Sequence, residues 1–210
     1  MFWIALTILA LAGVLLAEWK GKKAPEWVLK PLASCGFIGL ALSEGMDKTE
    51  FGFTVVIALV LSWLGDVFLI PRTKGPFLIG LVAFLLGHVA FTWAFIEAGP
   101  ESTLLWSSLA GLTIISALVC RWLLPQTPQE LRFPVIAYVG VITVMVATSA
   151  GLWHSPQGPT LLVAALFFYV SDLSVAINRF VSPKFIHRLW GLPAYYVAQL
   201  IFAYVVAHHF

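Results

Sequence analysis

The chain has 210 residues, 60% of them hydrophobic and 10% charged, with a mean hydropathy of +0.95. A soluble domain carries roughly 25% charged residues, so a soluble enzyme is excluded. The net charge of +2 says nothing about nucleic acid, and no nucleic-acid partner is expected, since there is no basic patch beyond what topology explains. What remains is an all-α polytopic membrane protein, because helices satisfy every backbone polar group within the span.

Eight apolar segments follow in order, at 2–17, 29–43, 53–70, 76–96, 102–124, 134–150, 160–178 and 189–207. Most have about 16–23 residues, enough to cross a hydrocarbon core of about 30 Å. The second is short and contains glycine, so it tilts or stops short of a full span. Segment 1 is expected to stay as the first span: its cations Lys20, Lys22 and Lys23 follow the apolar run, whereas a signal peptide carries them ahead of it. One eight-helix domain over 1–210 leaves no room for a soluble module. Cys35 and Cys120 lie in apolar segments, without metal-type spacing and without the look of a disulfide framework.

Charge sets the expected orientation. The breaks after segments 1, 3, 5 and 7, with the segment ends that border them, hold Lys20, Lys22, Lys23, Lys30, Arg72, Lys74, Arg121, Arg132, Arg179, Lys184 and Arg188, whereas the breaks after 2, 4 and 6 hold Lys48 alone. Positive loops stay cytoplasmic. Both termini are therefore expected outside, in a bacterial inner membrane.

Two carboxylates break this separation of charge from apolar segments. Asp66, in LVLSWLGDVFLI, and Asp172, in ALFFYVSDLSVAI, sit inside apolar runs with no Lys or Arg beside them, while the other eight acidic residues fall in polar breaks. A carboxylate at membrane depth costs at least about 2.5 kcal/mol and marks a working site more often than a structural one. Counted along segments 3 and 7, both lie about 7–11 Å from the cytoplasmic edge. Ser62, one turn before Asp66, bonds either that carboxylate or its own backbone.

A repeat brings the two together. GLVAFLLGH (80–88) and GLPAYYVAQ (191–199) share a pattern, and each follows a small residue and an aspartate, Gly65-Asp66 and Ser171-Asp172. The offset of four spans describes a parallel duplication, with halves 1–100 and 101–210. A pseudo-two-fold axis would then bring Asp66 to Asp172 and His88 to Gln199. His88 is either a packing histidine or part of the site. Tyr195 and Tyr196 lie deeper than interface anchors need, and with Gln199 they give segment 8 a polar face. Lys30 and Arg179 are either topological charges or a phosphate clamp for a lipid head group. A metal centre is disfavoured, since the five histidines offer no pair at i, i+4 spacing.

LKPLA (29–33), LSWLGDVFLI (61–70), FLIGLVAFLLGHVAF (77–91), YVSDLSVAINRF (169–180) and YYVAQL (195–200) together resemble the YhhN family, which includes the lysoplasmalogenases. The pattern departs at Phe91, where many members carry Tyr, and segments 1, 5 and 6 carry little of it. The resemblance implies eight helices and a membrane-embedded hydrolase of the vinyl ether bond of lysoplasmalogens. The products are a fatty aldehyde and glycerophosphocholine or glycerophosphoethanolamine, and no cofactor is required. It points to Asp66 and Asp172 as catalytic.

This agrees with what the residues indicate, because a vinyl ether resists bases and yields to acid. One aspartate is expected to donate a proton and the other to activate water, as paired carboxyls do in glycosidases. Lys30, His88, Asn178, Arg179, Tyr195, Tyr196 and Gln199 are the expected substrate-binding residues. The lysophospholipid would enter from the cytoplasmic leaflet. Without the resemblance, the same paired acids and repeat describe a proton-coupled transporter of a small or lipid-like solute. An intramembrane aspartyl protease is disfavoured, because Trp63 and Leu192-Pro193-Ala194 stand where its motifs require Gly and Pro-Ala-Leu.

Overall fold

The protein is described from a computed structural model covering residues 1–71 and 73–209, without the side chains of 206–209. Arg72, counted in the charge pattern, and the side chains of His208 and His209 lie outside the described residues. Eight α-helices account for most of the chain: α1 (Phe2–Trp19), α2 (Glu26–Ser43), α3 (Glu50–Phe68), α4 (Lys74–Glu97), α5 (Ser102–Leu123), α6 (Gln129–Gly151), α7 (Gly158–Ala176) and α8 (Phe185–His209). Among the described residues, six helices are long and apolar enough to cross a membrane, namely α1 and α3 to α7. α2 carries Glu26 and Lys30 in its first half, both buried.

Local chemistry sets the ends of these helices. The Thr49 side chain accepts from Gly52 N at 3.0 Å and starts α3, satisfying one of the amides that a helix start leaves open. Gly45 and Gly99, both at φ +76°, turn the chain after α2 and α4 in a conformation that only glycine adopts without cost. Pro31, Pro134 and Pro193 lie inside α2, α6 and α8. Each removes one backbone donor.

Sequence neighbours pair as hairpins: α1 with α2, α3 with α4, α5 with α6 and α7 with α8. α2, α3, α4, α6, α7 and α8 then close a ring, each packing on the next, and α8 also reaches α1 and α3. The pattern recurs at an offset of four helices. α2 meets α3 as α6 meets α7, and α8 meets α2 as α4 meets α6. α1 and α5 are the outer helices of their hairpins. Thr7 of α1 donates to Ala33 O of α2 at 3.1 Å, and Ser116 of α5 bonds Thr143 of α6 at 2.6 Å.

Glycine contacts carry the correspondence to the aspartates. A Cβ on Gly80 would lie 3.2 Å from Gly65 O, and one on Gly191 would lie 3.8 Å from Ser171 O and 2.0 Å from Ser174 Oγ. In each half a glycine therefore brings the next helix against the residue that precedes the aspartate. The shared core is aromatic: Phe37 of α2, Phe84, Phe91 and Phe95 of α4, Phe168 of α7, and Tyr195, Tyr196 and Phe202 of α8. Phe91, the departure from the family pattern, packs on Phe202 with ring centroids 4.4 Å apart and the planes tilted by 33°.

Candidate functional site

A cavity of about 470 Å³ opens inside the ring. Asp66 of α3 and Asp172 of α7 both line it, with Lys30 of α2, Tyr138 of α6 and Tyr195 of α8. Its apolar wall includes Val119 and Leu123 of α5 and Val139 and Ile142 of α6, and Asn178, Arg179 and Lys184 of the α7–α8 connection line the end taken as its mouth.

The Asp66 centre is closed and fully partnered. Lys30 Nζ lies 3.1 Å from Asp66 Oδ1 and donates to Asp66 O at 3.1 Å, with both side chains 3% exposed. Oδ2 accepts from Ser34 Oγ at 2.6 Å and from Tyr195 OH at 2.7 Å. Ser34 Oγ also reaches Lys30 O at 3.1 Å and Tyr196 OH at 3.0 Å, and Tyr196 OH reaches Lys30 O at 3.3 Å. This corrects two expectations. A lysine does stand beside one of the aspartates, and Lys30 is a buried ion-pair partner rather than a surface charge. The reason is α2's entry into the ring: Glu26 starts the helix, so Lys30 lies a full turn inside it and faces α3. Ser62 bonds its own backbone, donating to Ala58 O at 2.9 Å.

The Asp172 centre is more open. Its side chain is 16% exposed. Oδ2 accepts from Tyr138 OH at 2.8 Å, and His88 Nε2 stands 3.2 Å from the same oxygen, off the axis of a well-aligned hydrogen bond. His88 Nδ1 contacts Phe84 O at 2.6 Å. The imidazole is 1% exposed and packs on Phe168, ring centroids 4.4 Å apart. Gln199, one turn after Tyr195, is fully buried beside the Tyr195 hydroxyl, yet its amide makes no well-formed hydrogen bond.

At the mouth the chain passes from α7 into a π-helical turn, Ile177–Val181, which brings Asn178, Arg179 and Phe180 in succession to the cavity. Such turns occur frequently at functional sites. The Arg179 guanidinium lies 4.3 Å from the Phe77 ring centre, and Phe180 meets the same ring edge-on. Arg188 pairs with Glu18 at 2.7 Å and Glu26 at 3.1 Å, and those two carboxylates are 5% and 2% exposed. Glu18 and Glu26 are therefore buried helix residues rather than part of a solvated break.

Of the expected site residues, Asp66, Lys30, Tyr195, Asp172, Asn178 and Arg179 line the cavity. His88, Tyr196 and Gln199 stand behind that lining, fully or almost fully buried. Two residues at the site escaped the sequence reading, Ser34 and Tyr138. Ser34 was within reach of it, since i+4 spacing from Lys30 puts both on one helical face. Tyr138 lies in a segment outside the family pattern, and nothing in its neighbours separates it from a packing aromatic.

The family model described as the YhhN family matches residues 25–206. The chain is 31% identical over 203 residues to a human protein named lysoplasmalogenase TMEM86A, covering 88% of this chain and 80% of that one. The bovine protein of the same name is 29% identical over 200 residues, with the same coverage. A protein of Mycobacterium bovis named lysoplasmalogenase is 33% identical over 133 residues, 60% of this chain and 50% of that one. No solved structure matches.

Proposed function

The chain belongs to the YhhN family, and on that premise we propose that it hydrolyses the vinyl ether bond of lysoplasmalogens, using Asp66 and Asp172 for acid/base chemistry. A proton added to the β-carbon of the alkenyl group turns the ether into an oxocarbenium ion. Water adds to the carbon bonded to oxygen and loses a proton. The hemiacetal then collapses to a fatty aldehyde and the free hydroxyl of the glycerophospho head.

One observation carries this reading: carboxylates from α3 and α7 line a single, mostly apolar cavity that also takes Asn178, Arg179 and Lys184 of the α7–α8 connection into its lining. The names of the relatives supply the substrate class. The alkenyl chain fits the apolar wall from α5 and α6, and the phosphate fits the mouth near Asn178, Arg179 and Lys184. On the positive-inside reading that mouth faces the cytoplasm, so the lipid enters from the inner leaflet. Low-dielectric walls strengthen the charges acting on the oxocarbenium ion.

The test is purified protein in detergent with alkenyl-glycerophosphocholine or -ethanolamine, reading aldehyde release. Turnover is expected in the wild type, with a loss of at least about 100-fold in Asp66→Asn and in Asp172→Asn, the scale of acid/base catalysis. Undiminished turnover in both variants removes the mechanism. No aldehyde from well-folded wild type, with solute-driven proton uptake in vesicles, supports a transporter instead.

A further inference from the structure

We propose that the transferred proton is held between Asp172 and His88, and that His88 is the positioning residue that keeps Asp172 charged with it. The inference rests on the hydrolase reading above and assigns within it which aspartate is the acid.

A backbone carbonyl only accepts, so the 2.6 Å contact with Phe84 O puts a hydrogen on His88 Nδ1. In the neutral ring Nε2 is then a bare acceptor. It stands 3.2 Å from Asp172 Oδ2, also an acceptor, at 1% exposure of the histidine side chain. Two unprotonated acceptors repel at that distance in an apolar interior, even off the axis of a hydrogen bond. One proton belongs between them, on the carboxyl or on the imidazole. Tyr138 donates to the same Oδ2 at 2.8 Å, so Oδ2 is the oxygen that shares the proton with His88 and delivers it. Asp66 is in the opposite condition, with both its oxygens accepting from Lys30, Ser34 and Tyr195. It has no proton to give and serves as the standing anion of the site.

The step balances. Asp172 Oδ2 gives the shared proton to the β-carbon: the alkene π electrons form the new C–H bond, and the O–H electrons stay on the carboxylate. His88 Nδ1–H stays on Phe84 O throughout. The proton released when water adds to the oxocarbenium carbon returns to the Asp172–His88 pair. The groups facing this pair are Tyr138 on α6, Tyr169 on α7, Tyr195 on α8, Lys30 and Asp66 across the cavity, and Glu18, Arg179, Lys184 and Arg188 toward the mouth.

His88→Gln tests the assignment, because glutamine can donate to a carboxylate but cannot hold a mobile proton. At about pH 7.5 its kcat is expected to fall at least 100-fold, the scale of lost general acid catalysis, with KM within threefold of wild type. Lowering the pH to about 5 is expected to restore at least tenfold, since bulk acid then loads Asp172 without the histidine, while Asp172→Asn recovers nothing. His88→Asn serves if the glutamine variant does not fold. A variant within threefold of wild-type kcat, or one whose loss acid does not relieve, overturns the proposal. Nitrogen-15 NMR of histidine-labelled protein, assigned by difference with His88→Gln, reads the pair without turnover. The expected Nε2 signal is protonated or hydrogen-bonded and reverts to that of a free nitrogen in Asp172→Leu; a free Nε2 in the wild type overturns the proposal. Wild type that shows the bonded Nε2 but releases no aldehyde keeps the proton pair and defeats the hydrolase reading.

Discussion

Lys30 and Asp66 form an ion pair in which each charge depends on the other. Removing one partner of a buried pair leaves an uncompensated charge and costs about 3–5 kcal/mol, whereas replacing both by neutral groups of similar size is often close to neutral. Lys30→Met and Asp66→Asn are therefore each expected to lower stability by that order, and the double variant to recover most of it. A double-mutant cycle by denaturation in detergent checks this, and additive losses contradict the pairing. Tyr138→Phe deletes one hydrogen bond to Asp172 and keeps the ring. It is expected to lower kcat about five- to tenfold, as loss of roughly 1–1.5 kcal/mol would, with stability little changed. At this scale legibility was uneven. Asp66 and Asp172 stood out because carboxylates are rare in apolar segments. Lys30 sits at a segment edge, where a topological lysine looks the same, and only its approach to α3 distinguishes it.

Between helices, the contacts turn on small residues, since lipid gives apolar faces no preference for one another and close backbone approach does. Gly36 faces Trp3 O at 2.9 Å from its added Cβ, Gly65 faces the Phe84 ring at 2.5 Å, and Gly191 faces Ser174 Oγ at 2.0 Å. Gly191→Val is expected to push α8 off α7 and destabilise by about 1–3 kcal/mol, the usual penalty of overpacking. Gly111→Ala, on α5 where an added Cβ meets nothing within 4 Å, is expected to be neutral or to stabilise by up to about 1 kcal/mol through helix propensity. Thermal unfolding of the two variants side by side checks the contrast, and equal behaviour denies that α7 and α8 meet through Gly191. The helices themselves were readable, because apolar length and polar breaks mark them directly. The apolar segment read as 29–43 is part of a helix that begins at Glu26, since a buried ion pair lets charged residues continue a helix inward.

For the whole molecule, the charge alternation proposes that both termini lie on the non-cytoplasmic side. In a bacterial inner membrane a C-terminal alkaline phosphatase fusion is expected to be active and a C-terminal green fluorescent protein fusion dark; the reverse pattern reverses the leaflet from which substrate enters. The sequence by itself determined the class of the protein, its eight helices and the two acidic positions, because those follow from composition and from local apolar runs. It also carried the family pattern. The tertiary structure decided what each acid faces. Ring closure sets Lys30, Ser34 and Tyr195 on Asp66, and leaves Asp172 with His88 and Tyr138 at the open side of the cavity. Hydrogen-bond partners 32, 34 or 129 residues apart in the chain meet only through helix packing, and a single apolar helix carries no local signal of which neighbour it will touch.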